Sequence, residues 1–352
     1  MGFEYTNFLR DVCKTIAPSG YEKEVLAIWS DYISKYADQV SISGLGNAIA
    51  IKHGSSKKKI MLTAHADEIG LIITYIDNNG FLYFDEIGGV DTNLLSGRRV
   101  SILGINGIVE GVIGVIPIHL QNRTVDKMNL SPDELWIDIG ATDKSEAQKK
   151  VQIGCIATLC SVPLLISDTR ISGKAMDNRC SLAVLLSVAK NLYNQKVEYD
   201  IYYVATTQEE LRGRGAQTAA YEICPDICIV LDVTHATDYP SMSPVKDGDV
   251  KLGDGVVIAL GPNMDHFISQ KMVSIAVDKC INYQLEAIAK PTGTDANPIQ
   301  ITRQGISTGL LSIPCRYMHS PVETIDIRDL DMASKLLTEF ILNINNDKYN
   351  SV

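Results

Sequence analysis

Six short segments of this chain carry acids, a histidine or both: Ala64-His65-Ala66-Asp67-Glu68, Ala175-Met176-Asp177-Asn178-Arg179, Gln208-Glu209-Glu210, Leu231-Asp232-Val233, Gly293-Thr294-Asp295-Ala296 and Tyr317-Met318-His319-Ser320-Pro321. Several follow directly on strand-like apolar runs. Charged groups gathered at strand ends need a partner, and the usual partner for imidazoles with carboxylates is a divalent metal. This mixture suits zinc, cobalt or manganese better than calcium or magnesium. The number of donors suits two ions. Each would take one histidine and one terminal carboxylate, with a third carboxylate shared and room left for a bridging water. Two divalent ions outweigh three ligand carboxylates, which lowers the pKa of that water and makes hydroxide available near neutral pH. One further carboxylate must stay off the ions to move the proton. Glu209-Glu210 offers it, because adjacent residues point different ways.

Each segment alone has an ordinary explanation. A Glu-Glu pair commonly opens a solvated helix, an Asp after a strand is often an N-cap, and His319 before Ser320-Pro321 suits a loop. All six explanations would have to hold at once, so the set favours a site. The other histidines are read as lying outside it. His53 sits in a Gly-Ser-Lys loop, His119 in a β-rich stretch, His266 at the start of a helix and His235 three residues past Asp232.

The elements that must position these groups can be read from periodicity. Helical spacing covers about 5–35, broken at Pro18-Ser19-Gly20, and strand-like runs follow at 48–51 and 60–63. From 69 to 169 the texture is β-rich, with runs at 71–76, 81–84, 99–102, 107–115, 135–139 and 156–160 and one helical stretch at 144–150. Asp77-Asn78-Asn79-Gly80 reads as a hairpin turn. Beyond Ile171, helices at 180–192, 215–221, 268–289 and 329–343 alternate with strands at 201–206, 227–231, 256–259 and 309–313. This pattern predicts an α/β fold: a largely parallel-sheet α/β sandwich over 1–68 and 169–352, interrupted by a small β-rich domain, barrel or PDZ-like, over 69–168. His65, Asp67, Glu209, Glu210, Asp232 and His319 all follow strands on this scheme. Ligand sites of open α/β sheets lie beyond the carboxyl ends of strands, so these residues can converge.

The chain has 352 residues and a net charge of −10, which argues against nucleic acid as the main partner. No apolar run is long enough for a bilayer span, and no signal peptide is visible. Eight cysteines without metal-ribbon spacing read as reduced and mostly buried, in a cytoplasmic protein. There the Asn122-Arg123-Thr124 sequon would go unused, and the Met1-Gly2 myristoylation pattern is read as chance.

The motifs together resemble a known family. His65-Ala66-Asp67-Glu68-Ile69-Gly70, Ala175-Met176-Asp177-Asn178-Arg179, Gln208-Glu209-Glu210 with Arg214-Gly215-Ala216, Leu231-Asp232-Val233-Thr234, Gly293-Thr294-Asp295-Ala296 and Arg316-Tyr317-Met318-His319-Ser320-Pro321 are similar, in order, to the M42 metallo-aminopeptidases. This is the glutamyl and tetrahedral aminopeptidase group, sometimes labelled endoglucanase or cellulase. The resemblance implies a hydrolase removing N-terminal residues from short peptides with two divalent ions per subunit, zinc or cobalt. It implies His65 and Asp232 on one metal, Glu210 and His319 on the other, and Asp177 bridging. Glu209 would be the general base and Asp67 would orient His65. The β-insert would be a dimerisation domain, with dimers assembling into a homo-oligomeric tetrahedral dodecamer.

One departure is that the family's Val-Gly-Leu-Arg-Gly-Ala after Glu-Glu is replaced by Leu211-Arg212-Gly213-Arg214-Gly215-Ala216, which adds Arg212, read as pointing to solvent. A dimetal deacylase or carboxypeptidase acting on N-acyl substrates would use the same ligands, and a non-enzymatic scaffold would keep them for stability. Retention of Glu209, which no ligand role requires, argues against the scaffold. Glycan hydrolysis would need paired carboxylates and no metal, so the cellulase label fits poorly.

Overall fold

The computed structural model describes residues 5–117, 119–120 and 130–344. The Asn122-Arg123-Thr124 sequon and the Met1-Gly2 pattern lie outside the described residues.

The apolar runs Lys59–His65, Asp200–Thr206, Ile227–His235 and Ser307–Cys315 form the parallel centre of an eight-stranded sheet. They are buried along nearly their whole length, which is why they read as continuous apolar segments rather than alternating ones. On one side Ala48–Lys52 and Gln39–Ile42 add antiparallel strands. On the other, Val256–Leu260 pairs antiparallel with Ser307–Cys315 and carries Tyr283–Ala287 as the edge.

Helices cover both faces. Met176–Leu192 is buried nearly all round and packs against the sheet together with Ile327–Asn343 and Tyr5–Val12. Arg214–Ile223 and Ala296–Gln300 cover the opposite face around Met61, Val204 and Val230. No helix among the described residues is long and apolar enough to cross a membrane.

The β-rich stretch closes into a six-stranded antiparallel barrel in the order Gly70–Ile76, Leu82–Ile87, Trp136–Asp138, Gly107–Gly114, Arg99–Gly104, Ile156–Leu159. Its first hairpin turns at Asp77, whose carboxylate accepts from the backbone N–H groups of Asn79 and Phe81, both at 2.9 Å. Leu71, Ile73, Val100, Ile102 and Ile137 fill the interior.

The structure departs from the sequence reading in several places. The helix expected over 268–289 stops at Asp278, and Tyr283–Ala287 is a strand instead. Cys280 adopts φ +53°, which breaks the helix, and the open edge of Val256–Leu260 offers a full ladder of backbone hydrogen bonds that overrides local propensity. A three-stranded sheet of Leu164–Leu165, Arg170–Gly173 and Glu323–Asp326 was not anticipated, because its strands are too short to show a period. Finally, all eight cysteines are free, but Cys160, Cys224 and Cys280 are exposed rather than buried.

Candidate metal centre

The parallel register sets Thr206 level with His65 and Ser312 level with Asp232. Their strands therefore end on one side of the sheet, and the candidate residues gather there. His65 is buried at the end of its strand. Its Nε2 lies 2.9 Å from Asp177 Oδ1 and 3.7 Å from Asp232 Oδ1. His319 arrives from the other side, its Nε2 3.4 Å from Asp177 Oδ2 and 3.2 Å from Glu210 Oε1. One carboxylate thus presents a different oxygen to each imidazole. His65, Asp177 and Glu210 can each aim a ligand atom within 4.8 Å of the others.

The second ring nitrogens show what this arrangement is built to hold. His319 Nδ1 lies 2.8 Å from the Gly89 carbonyl, and His65 Nδ1 lies 3.2 Å from the Asp67 carbonyl. A carbonyl only accepts, so in the neutral rings the proton sits on Nδ1 and a bare Nε2 lone pair faces carboxylate oxygens. Acceptor facing acceptor is repulsive unless a proton or a metal cation lies between them. The donor set therefore fits divalent metal, with zinc-type His and carboxylate chemistry.

The electrostatics agree. Burial works against charge on both imidazoles, yet hydrogen bonds to Asp177 and its neighbours carry His65 well above its ordinary range and His319 up to about 11. Asp177 is held well below the usual range: the two histidines overcome its burial. Glu209, Glu210 and Asp232 are pushed up, chiefly by burial; the charge of Asp177 adds to this at Glu210 and Asp232, and the charges of Asp232, Asp295 and Glu210 add to it at Glu209. A site that favours positive charge at both imidazoles and has surplus carboxylate is prepared for cations.

Supporting groups fix each of these side chains. Asp67 does not reach Asp177. Its Oδ1 accepts the Glu209 backbone N–H at 3.0 Å and lies 3.4 Å from His65 Nδ1, while Oδ2 accepts from Glu210 N at 3.1 Å and Ser19 Oγ at 2.5 Å. The chain turns sharply before the long central helix, where Asp177 and Asn178 leave helical geometry and Asp177 faces the site. His319 has φ +59°, a conformation that non-glycine residues hold only with support. Two glycines allow the close approach: a Cβ at Gly89 would lie 3.1 Å from His319 Nδ1, and at Gly88, with φ +79°, 3.2 Å from Glu210 Oε2.

The family model described as M42 glutamyl aminopeptidase matches residues 46–336. The chain belongs to the M42 aminopeptidase family. It is an aminopeptidase, a peptide-hydrolysing enzyme. It is 36% identical to the lysyl aminopeptidase of Pyrococcus furiosus over 93% of this chain and 94% of that one. It superposes on an aminopeptidase of the archaeon Desulfurococcus kamchatkensis with a TM-score of 0.91 and 36% identity, covering 97% of this chain and 95% of that one. It superposes on the Pyrococcus horikoshii TET1 peptidase with a TM-score of 0.86 and 31% identity, covering 97% and 100%.

In this M42 chain Glu323 had not been read from the sequence, and Glu68 and Asp295 had been read without a role. Glu323, four residues past His319, accepts the backbone N–H of Asp177 at 3.0 Å and of His319 at 2.8 Å, tying the two together from beneath. A signal existed, since an acid opens the strand-like Glu323-Thr324-Ile325. Glu68 lies next to Asp67 but points away from the site. It accepts from Lys174 Nζ at 2.7 Å and Arg179 Nη2 at 2.9 Å in a fully buried ionic cluster. Asp295 lies behind the sheet ends, bonded to Thr206 Oγ1 at 2.6 Å, with its carboxyl raised to about 7, mainly by burial. His235, read as outside, lines the same cleft as His65 and Glu209. Arg212 is exposed, as expected.

Proposed function

We propose that the M42 chain is a two-metal aminopeptidase that removes N-terminal residues from short peptides. His65 and Asp232 would hold one ion, Glu210 and His319 the other, and Asp177 would bridge them. When bound, two such ions supply Lewis-acid polarisation of the scissile carbonyl and a water acidified towards neutrality. Zinc and cobalt both suit these ligands. Asp67 and the Gly89 carbonyl keep the two imidazoles in the tautomer that leaves Nε2 free. Glu209 lines the cleft but is not needed as a ligand. Burial and the neighbouring carboxylates make it a good proton acceptor. It takes the proton of the attacking water and returns it to the leaving amine.

The observation that carries this reading is the Asp177 carboxylate facing His65 with one oxygen and His319 with the other. The test is hydrolysis of Leu-, Glu- and Lys-anilides beside their N-acetylated forms, with zinc, cobalt or chelator added. Metal-dependent cleavage of the free-amine compounds alone is expected. Cleavage of only the blocked compounds would move the assignment to a deacylase, and silence with metal bound would leave a scaffold.

We place residues 1–68 and 169–352 in the catalytic domain and 69–168 in a dimerisation domain. The barrel leaves Leu103, Ile105 and Ile108 exposed, which suits a covered face. The Pyrococcus horikoshii relative can assemble into a tetrahedron or a large octahedral shell, and a tetrahedral dodecamer is the assembly proposed here. Free thiols throughout suit the cytoplasm.

A further inference from the structure

We propose that Glu286 selects a basic side chain at the amino terminus of the substrate, so that lysine and arginine are removed in preference to aliphatic or acidic residues. The proposal rests on the aminopeptidase reading above and names its substrate class.

The cleft over the metal residues has a volume of about 360 Å³. Beyond the six side chains of the centre itself, its wall contains one carboxylate, Glu286, and no lysine or arginine. Glu286 stands on the edge strand Tyr283–Ala287 and is half-buried. Its Oε2 accepts from Thr234 Oγ1 at 2.9 Å, which fixes the carboxylate where it lines the cleft. Among the described residues no cation lies within ion-pair distance of it, and Oε1 accepts no hydrogen bond. Apart from His235, the rest of the wall is apolar or hydroxylic, including Val233, Ile288, Pro291, Leu310 and Thr292.

A wall of this kind is complementary to one class of side chain. Lysine and arginine carry an apolar stem ending in a donor-only cation. The stem lies against the apolar wall and the head meets the one unpaired carboxylate. An acidic residue would bring like charge to Glu286. An aliphatic residue would dehydrate the carboxylate and give nothing in return, and sites built to pair a polar group discriminate strongly against analogues that lack it. Only His235 could draw an acidic residue to the same wall, and it is exposed at the mouth.

The test is kcat/KM of the metal-loaded enzyme for Lys-, Arg-, Leu- and Glu-p-nitroanilide, in the wild type, Glu286→Gln and Glu286→Lys. The wild type should favour Lys and Arg. Glu286→Gln should lower kcat/KM for Lys about 10- to 100-fold, the scale of a charge-assisted hydrogen bond, and raise it for Leu, whose binding no longer dehydrates a charge. Glu286→Lys should raise turnover of the Glu substrate. Equal loss on Lys and Leu in the Gln variant would mean a merely structural Glu286 and overturn the proposal. Should neither variant fold, wild-type preference for Leu or Glu overturns it alone. Failure of the wild type on every free-amine substrate overturns the aminopeptidase reading as well, which separates the two failures.

Discussion

Asp67 Oδ1 accepts the backbone N–H of Glu209 at 3.0 Å and lies 3.4 Å from His65 Nδ1, so one buried carboxylate touches both a proposed metal ligand and the proposed base. An asparagine in its place would turn an amide N–H₂ towards a donor on one side or the other. Asp67→Asn is expected to weaken zinc binding about 10- to 100-fold, the usual cost of losing such a partner, and to lower kcat at saturating zinc. Chelator competition and saturation kinetics on the same protein measure the two effects.

Glu209→Gln keeps the shape and removes the proton acceptor. It is expected to lower kcat about 10²- to 10⁴-fold while leaving bound metal unchanged. Metal analysis of the purified variant decides the role, because parallel loss of metal would make Glu209 a ligand.

Glu323 accepts two backbone N–H groups, from Asp177 and from His319, at a buried position. Glu323→Ala would leave both donors unpaired, each costing about 1–3 kcal/mol. The expected result is a lower Tm together with weaker metal binding, since the freed groups are the bridge and a histidine of the centre. A variant with a lower Tm and full metal affinity would restrict Glu323 to stability.

Glu68 lies between Lys174 and Arg179, all three buried. Glu68→Gln leaves two buried cations without their counter-ion and is expected to cost about 3–5 kcal/mol in urea unfolding. The sign of its pH dependence follows from its lowered pKa: burial opposes the shift, but Arg179 and Lys174 dominate. The unfolded chain binds the proton first, so Glu68 contributes fully above its ordinary value of 4.5 and loses that contribution as pH falls through the lower folded value. The gap in stability between wild type and Glu68→Gln should therefore narrow only in acid. A gap constant down to the lowest pH would refute the pairing.

Much of this architecture was legible because burial leaves a trace in sequence. The central strands are buried on both faces, so 60–63 and 227–231 appear as continuous strand-like runs, and His65 and Asp232 that follow them stand out. His65, Asp177, Glu209, Glu210, Asp232 and His319 are brought to one cleft by the level ends of those strands. What was not legible depends on backbone contacts across the chain. The Gly89 carbonyl supports His319 from 230 residues away, and nothing local marks it. Glu323 acts through two main-chain N–H groups, and the acid that opens its strand-like segment does not reveal those partners. Glu286 was hidden by a misjudged element: in a helix over 268–289 it would be a surface acid, whereas on the edge strand it faces the cleft.

The most direct test is titration of the metal-free enzyme with zinc or cobalt, following bound metal per chain and Leu- or Lys-anilide turnover together. With Asp177 bridging two ions, turnover should rise to its maximum only as the second equivalent binds, and Asp177→Asn should lose both ions and all turnover. Full turnover at one equivalent per chain, or turnover that survives chelation, would contradict the two-metal centre.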